Sequence, residues 1–138
     1  MVFESSGINR LVEWKKFRDQ IEVSKTPFED VVNFWSQSPF VEDYLNPYHH
    51  ASWPDAWHLI HSDNLDDLAI VLCMLYTLKL TSRFMSDKFE VHMSMSPSKE
   101  HQRFFLIIND KKVLNYVWRC VVDVENLGKT QTMLLWAT

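Results

Sequence analysis

The sequence contains very little glycine and cysteine, and each shortage excludes a class of protein. Its 138 residues include only two glycines, Gly7 and Gly128, so it has no glycine-rich loop of the kind that holds phosphate in nucleotide-binding folds. Two cysteines, Cys73 and Cys120, are too few for a disulfide framework. We therefore expect neither a nucleotide-binding fold nor a small domain held together by disulfides.

Basic clusters and long apolar runs are also missing. The net charge is −4 and no block of Lys and Arg stands out, whereas a nucleic-acid-binding domain needs a basic patch. The first residues, MVFESSGINR, lack the basic and then apolar layout of a signal peptide. No apolar run is long enough to span a bilayer. These absences predict a cytoplasmic protein that binds neither nucleic acid nor a membrane.

The stretch DNLDDLAIVLCMLYTLKL, residues 63–80, predicts one buried central helix. Residues 68–76 are apolar without a clear polar stripe, and a helix that is apolar on all sides belongs in a core. Asp63 or Asn64 is expected to cap it, since a side-chain oxygen can accept from the free N–H groups of the first turn. Asp66 and Asp67 would then occupy that turn and complement the helix dipole.

Three further helices are predicted before it. Apolar residues recur at steps of three and four over residues 8–23. Thr26-Pro27 is a helix start, in which Thr26 caps and Glu29 reaches back to complete a capping box. Ser38-Pro39 is expected to open a short helix through residue 45. Residues 46–62 are interpreted as a packed loop with a helical turn at residues 55–60.

After the central helix the pattern changes to strands. Residues 89–95 alternate between apolar and polar, which places His92 on an exposed face. Residues 103–108 predict a more buried strand, followed by a turn at 109–111. Residues 113–125 predict one long strand, because every even position is apolar, and Cys120 is therefore expected to face inward. A turn at Gly128-Lys129 leads to a strand at 131–136.

This order of elements predicts the α+β class. N-terminal helices and a buried central helix pack on an antiparallel sheet of about four strands, since short connections make neighbouring strands antiparallel. We expect a single domain over residues 1–138, which is helical to about residue 80 and forms the sheet from about 81 to 138. Ordinary globular proportions of 46% hydrophobic and 23% charged residues agree with one such core.

The stretch from Asp63 to about Trp118 resembles the transglutaminase-like proteins, which share the papain-like cysteine-protease core. Asp66-Asp67-Leu68-Ala69 is similar to the start of that family's nucleophile helix, and residues 80–84 occupy its strand entry. His101, the strand after it and the 109–111 turn resemble the family's His and Asp strands. The resemblance implies the fold predicted above and a cleft above the helix start. The chain also resembles a small phage-encoded protein, which would place it in a host cytoplasm.

The catalytic triad implied by this resemblance is degenerate. The nucleophilic cysteine falls on Leu65, the histidine on His101, and the acid that orients it on Asn115. Thiol chemistry needs a thiolate at a helix N-terminus with an imidazole in reach, and leucine cannot supply it. Cys73, more than two turns inside the central helix, is expected to be inert core packing. The resemblance thus implies a domain without catalytic residues.

The segment NPYHHASWPDAWHLIHS holds four of the six histidines and two tryptophans. It supplies most of the candidates for a binding cleft at the start of the central helix, which are Tyr48, His49, His50, Trp53, Trp57, His58, His61, Asp63 and His101. The alternative is that the aromatic residues cover the helix end. The histidine spacing matches no standard metal-binding motif, so we expect no metal and no cofactor.

Three functions are open at this point. The first is a non-enzymatic transglutaminase-like domain that binds a protein or peptide partner through the old active-site cleft. The second is a hydrolase with a rearranged histidine-based or metal-dependent site. The third is a small structural subunit of a larger assembly, and a homo-oligomer is compatible with any of them.

Overall fold

A computed structural model describes residues 8–40, 45–62, 65–95, 103–128 and 131–138. The described residues form four α-helices and a five-stranded antiparallel sheet, which confirms the predicted α+β class. The helices are α1 (Ile8–Ile21), α2 (Pro27–Trp35), α3 (Ala56–His61) and α4 (Asp67–Lys79). The strands are β1 (Phe89–Met95), β2 (Phe104–Ile108), β3 (Lys112–Leu114), β4 (Val121–Asp123) and β5 (Gln131–Ala137).

The central helix α4 is buried on all sides, as its composition predicts. Ten of its side chains, at residues 68–75 and at Thr77 and Leu78, are buried. It packs against β1 and β2 on one side and contacts α1, α2 and α3 on the others. Helix α4 therefore lies between the other three helices and the sheet, and packs against both.

The caps of α2 and α4 differ from the predicted ones. Asp66 caps α4, and its side chain accepts a hydrogen bond from the Ala69 N–H, so the helix starts about one turn later than expected. Thr26 does occupy the N-cap of α2, but without a side-chain capping bond. Its hydroxyl donates to the Asp30 carboxylate instead. This bond to the Asp30 side chain takes the place of the expected bond between the Thr26 hydroxyl and a backbone N–H of the first turn.

The helix predicted after Ser38-Pro39 is wrong where the structure describes that stretch. Phe40 forms an isolated parallel bridge with Leu65, and its side chain is 59% exposed. Residues 41–44, the rest of that predicted helix, lie outside the described residues. Helix α2 has already ended at Trp35, and Pro39 is followed by the bridge that ties Phe40 to the residue two positions before α4.

The sheet has the strand order β4-β3-β2-β1-β5, with every neighbouring pair antiparallel. The predicted turn at 109–111 is confirmed. Asn109 and Asp110 have φ angles of 53° and 57°, in the left-handed region that these two residue types tolerate better than most. Strand β5 pairs with β1 along its length and has a bulge opposite the Val91/His92 step.

The single long strand predicted over residues 113–125 is wrong. Strands β3 and β4 pair antiparallel with each other, with Val113 opposite Val122. The chain reverses between them at Asn115 and Arg119, whose φ angles are 70° and 62°. The apolar alternation continues through this reversal, so periodicity alone does not reveal it. As a result Trp118 and Cys120 are exposed, and the prediction that Cys120 faces inward is wrong.

The folded-back segment covers the outer face of the sheet. Phe105, Ile107 and Val113 form a second buried cluster there, against which Tyr116 and Leu127 pack among others. His92 lies on the same face, stacked on Phe105 with ring centroids 5.5 Å apart. Its side chain is only 13% exposed, so the prediction of an exposed His92 is wrong. The sheet is therefore covered on both faces in its middle.

Candidate functional site

The structure describes two of the three positions that the resemblance assigns to a catalytic triad, and both side chains are buried. Leu65 is completely buried, in the bridge that precedes α4. Asn115 is 6% exposed at the reversal after β3. His101 lies outside the described residues. The sequence resemblance assigns a nucleophile and an orienting acid to these two positions, and the structure places a core leucine and a buried amide there.

Asp66 and Asp67 each join the start of α4 to a distant segment. One oxygen of Asp66 accepts the capping bond from Ala69 N–H, and the other accepts from Leu45 N–H, both at 2.8 Å. Asp67 accepts from the Phe104 N–H at 2.8 Å. The two carboxylates thus serve different partners, because Asp66 is the extended N-cap residue whereas Asp67 is the first residue of the helix. They fix the helix start to the preceding segment and to β2.

Asn115 completes the link between α4 and the sheet. Its side-chain amide donates to Asp67 Oδ1 and to the Phe104 carbonyl, both at 3.0 Å. The Arg103 guanidinium lies on the same group, with Nε 3.4 Å from Asp67 Oδ2 and Nη2 donating to the Asn115 carbonyl. A carboxylate at position 115 could not donate either amide bond. The Asn115 side chain therefore acts as a hydrogen-bond donor to a carboxylate.

Asn115→Asp is expected to destabilise the domain by about 2–4 kcal/mol, because it replaces two donated hydrogen bonds by a carboxylate facing the carboxylate of Asp67. Asn115→Gly is the control, since glycine keeps the left-handed backbone but adds no charge. It should cost about 1–2 kcal/mol. Urea denaturation at neutral pH measures both variants. An Asn115→Asp protein as stable as the wild type would show that the amide of Asn115 is not needed.

Helix α3 carries three of the predicted cleft residues on one surface. Trp57, His58 and His61 line a shallow depression of about 520 Å³ together with Ser62. We call the part formed by Trp57, His58 and His61 the α3 surface. Trp57 is 52% exposed, and both histidines are exposed. The helical turn predicted at residues 55–60 is confirmed.

The histidines of the α3 surface are held by short-range hydrogen bonds. Asp55 caps α3 by accepting from the His58 N–H at 2.9 Å, and His58 Nδ1 lies 2.6 Å from the same carboxylate oxygen. The backbone N–H bond and then the imidazole hold the pKa of Asp55 below its usual range. His61 Nδ1 lies 2.8 Å from the Trp57 carbonyl. In both rings the described hydrogen bond is made by Nδ1.

The α3 surface rests on the buried part of the helical layer. The Trp57 ring meets the edge of the buried Trp14 ring, with centroids 5.8 Å apart. Arg10 is 5% exposed and donates to the carbonyls of Ile60 and Ser62. The Arg10 guanidinium thus donates hydrogen bonds to carbonyl groups at the C-terminal end of α3, where the helix itself supplies no further N–H donors. Sequence patterns do not single out Arg10, since it is one cation among several on α1.

The remaining predicted cleft residues occupy the turn before α3 or are not described. Tyr48 is 65% exposed. His50 and Trp53 meet edge to face at 6.1 Å, and Trp53 Nε1 donates to the Asn46 carbonyl. His49 precedes the 3₁₀ turn at His50–Ser52 as its N-cap. Asp63, like His101, lies outside the described residues, so the structure does not test their place in the cleft.

A metal site would need clustered ligands, and thiol chemistry would need a cysteine placed to act as a nucleophile. There, no group of three or more His, Cys, Asp and Glu side chains is placed to hold a metal ion. Cys73 is buried inside α4 as expected, and burial raises the pKa of its thiol. Cys120 is exposed in the connection before β4. Neither thiol lies at a helix N-terminus, where a thiolate is stabilised.

Comparison of the chain with known protein families, with curated proteins and with solved structures finds no match. The likeness to transglutaminase-like proteins therefore depends on the sequence motifs alone. Among the described residues, no helix is long and apolar enough to cross a bilayer.

Proposed function

We propose that this domain binds a protein or peptide partner through the α3 surface and catalyses no cysteine-dependent reaction. The observation that carries the proposal is Trp57, a half-exposed indole in edge-to-face contact with the buried Trp14 ring. Tryptophan is enriched among the residues that dominate binding energy at interfaces. A side chain already held by its neighbours loses little freedom on binding.

The flanking histidines supply the polar part of such a site. His58 and His61 are both oriented through Nδ1 by partners within α3. An imidazole whose second nitrogen faces solvent can donate to or accept from a peptide group. A half-exposed aromatic ring with oriented polar groups at its edge is typical of peptide recognition. The degenerate triad supports a binding role, because Leu65 puts a buried methyl group where the resemblance implies a thiolate.

Trp57→Ala is expected to weaken peptide binding at least about tenfold, since the loss of one anchoring tryptophan costs about 2 kcal/mol or more. The probes are peptides selected from a random displayed library on the wild-type domain, then measured by fluorescence anisotropy. Trp118→Ala is the matched control, because Trp118 is also exposed, at 63%, but lies between β3 and β4. It should change the dissociation constant less than about twofold.

Equal binding by Trp57→Ala and Trp118→Ala would contradict the proposal, and so would a library that yields no peptide at all. Because Trp57 contacts Trp14, the thermal melting of each variant is measured as well. His61→Ala is the second variant, since His61 is exposed and its Nδ1 bonds to the Trp57 carbonyl within α3. A loss of binding in His61→Ala with an unchanged melting temperature would support the site independently of Trp57.

A histidine-based hydrolase is the second candidate, and the Asp55–His58 pair is the observation that favours it. A carboxylate 2.6 Å from Nδ1 orients an imidazole as a general base. Both side chains are largely exposed, 59% for Asp55 and 79% for His58, so the pair does not exclude water. Hydrolysis of p-nitrophenyl acetate that disappears in His58→Ala but not in His61→Ala would favour this candidate over binding.

A further inference from the structure

Strand β5 is an edge of the sheet without the usual protection of edge strands. It spans seven residues and lies outermost in the order β4-β3-β2-β1-β5. No described strand pairs with its outer side. The residues Gln131–Ala137 include no charged residue, proline or glycine. Natural edge strands are commonly protected from pairing by charges, prolines or short length. The other edge, β4, is only three residues long and ends in Asp123.

Apolar side chains are exposed on both faces of this edge. Met133 is opposite Met93 and so lies on the helix side of the sheet, whereas Leu134 is opposite His92 on the outer side. They are 39% and 52% exposed, respectively. A strand added to β5 would cover part of both side chains. The bulge after Leu134 confines regular pairing to residues 131–134.

We propose that two copies of this chain associate by antiparallel pairing of β5 with β5 across a two-fold axis. The two sheets would then form one continuous sheet of ten strands. Charge argues for a second copy as the occupant. Two-fold pairing brings residues near the axis opposite themselves, so a charged residue there would meet its own like charge. Strand β5 avoids this repulsion, because it is neutral throughout.

Neutrality separates β5 from the other strands that could take part. Strand β1 contains Glu90, β3 contains Lys112, and β4 contains Asp123. Strand β2 is neutral, but it is paired on both sides within the sheet. Among the described strands β5 alone is both neutral and at an edge. A second copy of β5 is therefore a better pairing partner for β5 than any of the other described strands.

Sedimentation velocity of the full chain at about 1 to 200 µM tests the proposal, since dimer formation depends on concentration. The wild type is expected to reach twice its mass of 16.4 kDa. Met133→Lys should raise the dimer dissociation constant at least about tenfold, because it puts like charges near the axis. Met85→Lys is the matched control, at a methionine 60% exposed in the turn after α4, and should leave the constant unchanged.

Thr132→Lys is a second variant, chosen because Thr132 is exposed and its replacement leaves the core intact. Circular dichroism melting shows that each variant is folded. Cysteines introduced one at a time at positions 131 to 134, in a Cys120→Ser background that keeps only the buried Cys73, then locate the axis. Two-fold pairing predicts disulfide-linked dimers at the one position that lies opposite itself, and none for Met85→Cys.

A wild type that stays monomeric over the whole concentration range would overturn the proposal. A strand of another protein would then be the remaining candidate to pair with β5. A dimer unaffected by both lysine variants, or one that forms no disulfide at any of the four positions, would place the interface elsewhere. Peptide binding at the α3 surface is measured on the same variants. The two proposals can therefore fail separately.

Discussion

Thr77→Val is expected to lower the free energy of unfolding by about 2–6 kcal/mol, because it removes one acceptor from two buried indole groups. Trp14 Nε1 and Trp35 Nε1 both donate to Thr77 Oγ1 at 3.0 Å. The hydroxyl itself donates to the Cys73 carbonyl one turn back in α4. Threonine and valine have nearly the same shape, so the substitution changes hydrogen bonding with little change in packing.

Thr77→Ser is the control, because serine keeps the hydroxyl and loses only a methyl group. It should cost about 1 kcal/mol, the value for one buried methyl or methylene group. Urea denaturation, followed by tryptophan fluorescence and by circular dichroism, measures both variants. The prediction fails if valine costs no more than serine, since the bond between the indoles and Thr77 would then contribute little. The three side chains belong to α1, α2 and α4, so their bonds also fix how the helices pack.

Leu72→Ala is expected to cost about 2–5 kcal/mol, the range for removing a fully buried leucine and leaving a cavity. Leu72 is 1% exposed and lies midway along α4. The same result is expected for Leu75→Ala, one turn on and also 1% exposed. Both side chains lie where the helix is covered by the sheet and the other helices, so the structure has little room to relax.

Leu80→Ala is the matched control for these variants, because Leu80 follows the helix and is 43% exposed. It should cost less than about 1 kcal/mol, as is usual for surface substitutions. Chemical denaturation gives all three values. Equal effects at positions 72, 75 and 80 would mean that burial does not decide the contribution of α4. Leu72 and Leu75 are one turn apart and share neighbours, so the double variant is not expected to be additive.

Features that depend on neighbouring residues could be predicted from the sequence. The apolar run of α4 predicts a core helix, and the alternation over residues 89–95 predicts β1. Asn109-Asp110 predicts the turn, since few other residue types adopt two successive left-handed angles. In each case the signal lies within a single helix, strand or turn. The class of the fold follows from the order of such segments.

Features that depend on distant residues could not be predicted in this way. Asp67 reaches Asn115 across 48 residues of sequence and Phe104 across 37, and no local pattern indicates that either bond exists. The hairpin from β3 to β4 is the clearest case, because the apolar alternation of residues 113–125 fits one strand as well as two. Only the pairing of Val113 with Val122 decides between them.

The same distinction applies to the candidate site. The sequence alone shows that aromatic and histidine residues are concentrated before α4, and that Leu65 and Asn115 stand at the two positions where the resemblance would place a thiol and a carboxylate. Tertiary packing decided that Trp57 is half exposed beside the buried Trp14, and that Asn115 donates to Asp67 instead of orienting an imidazole. Composition and periodicity are properties of the chain alone, whereas exposure and hydrogen-bond partners depend on which distant segments pack together.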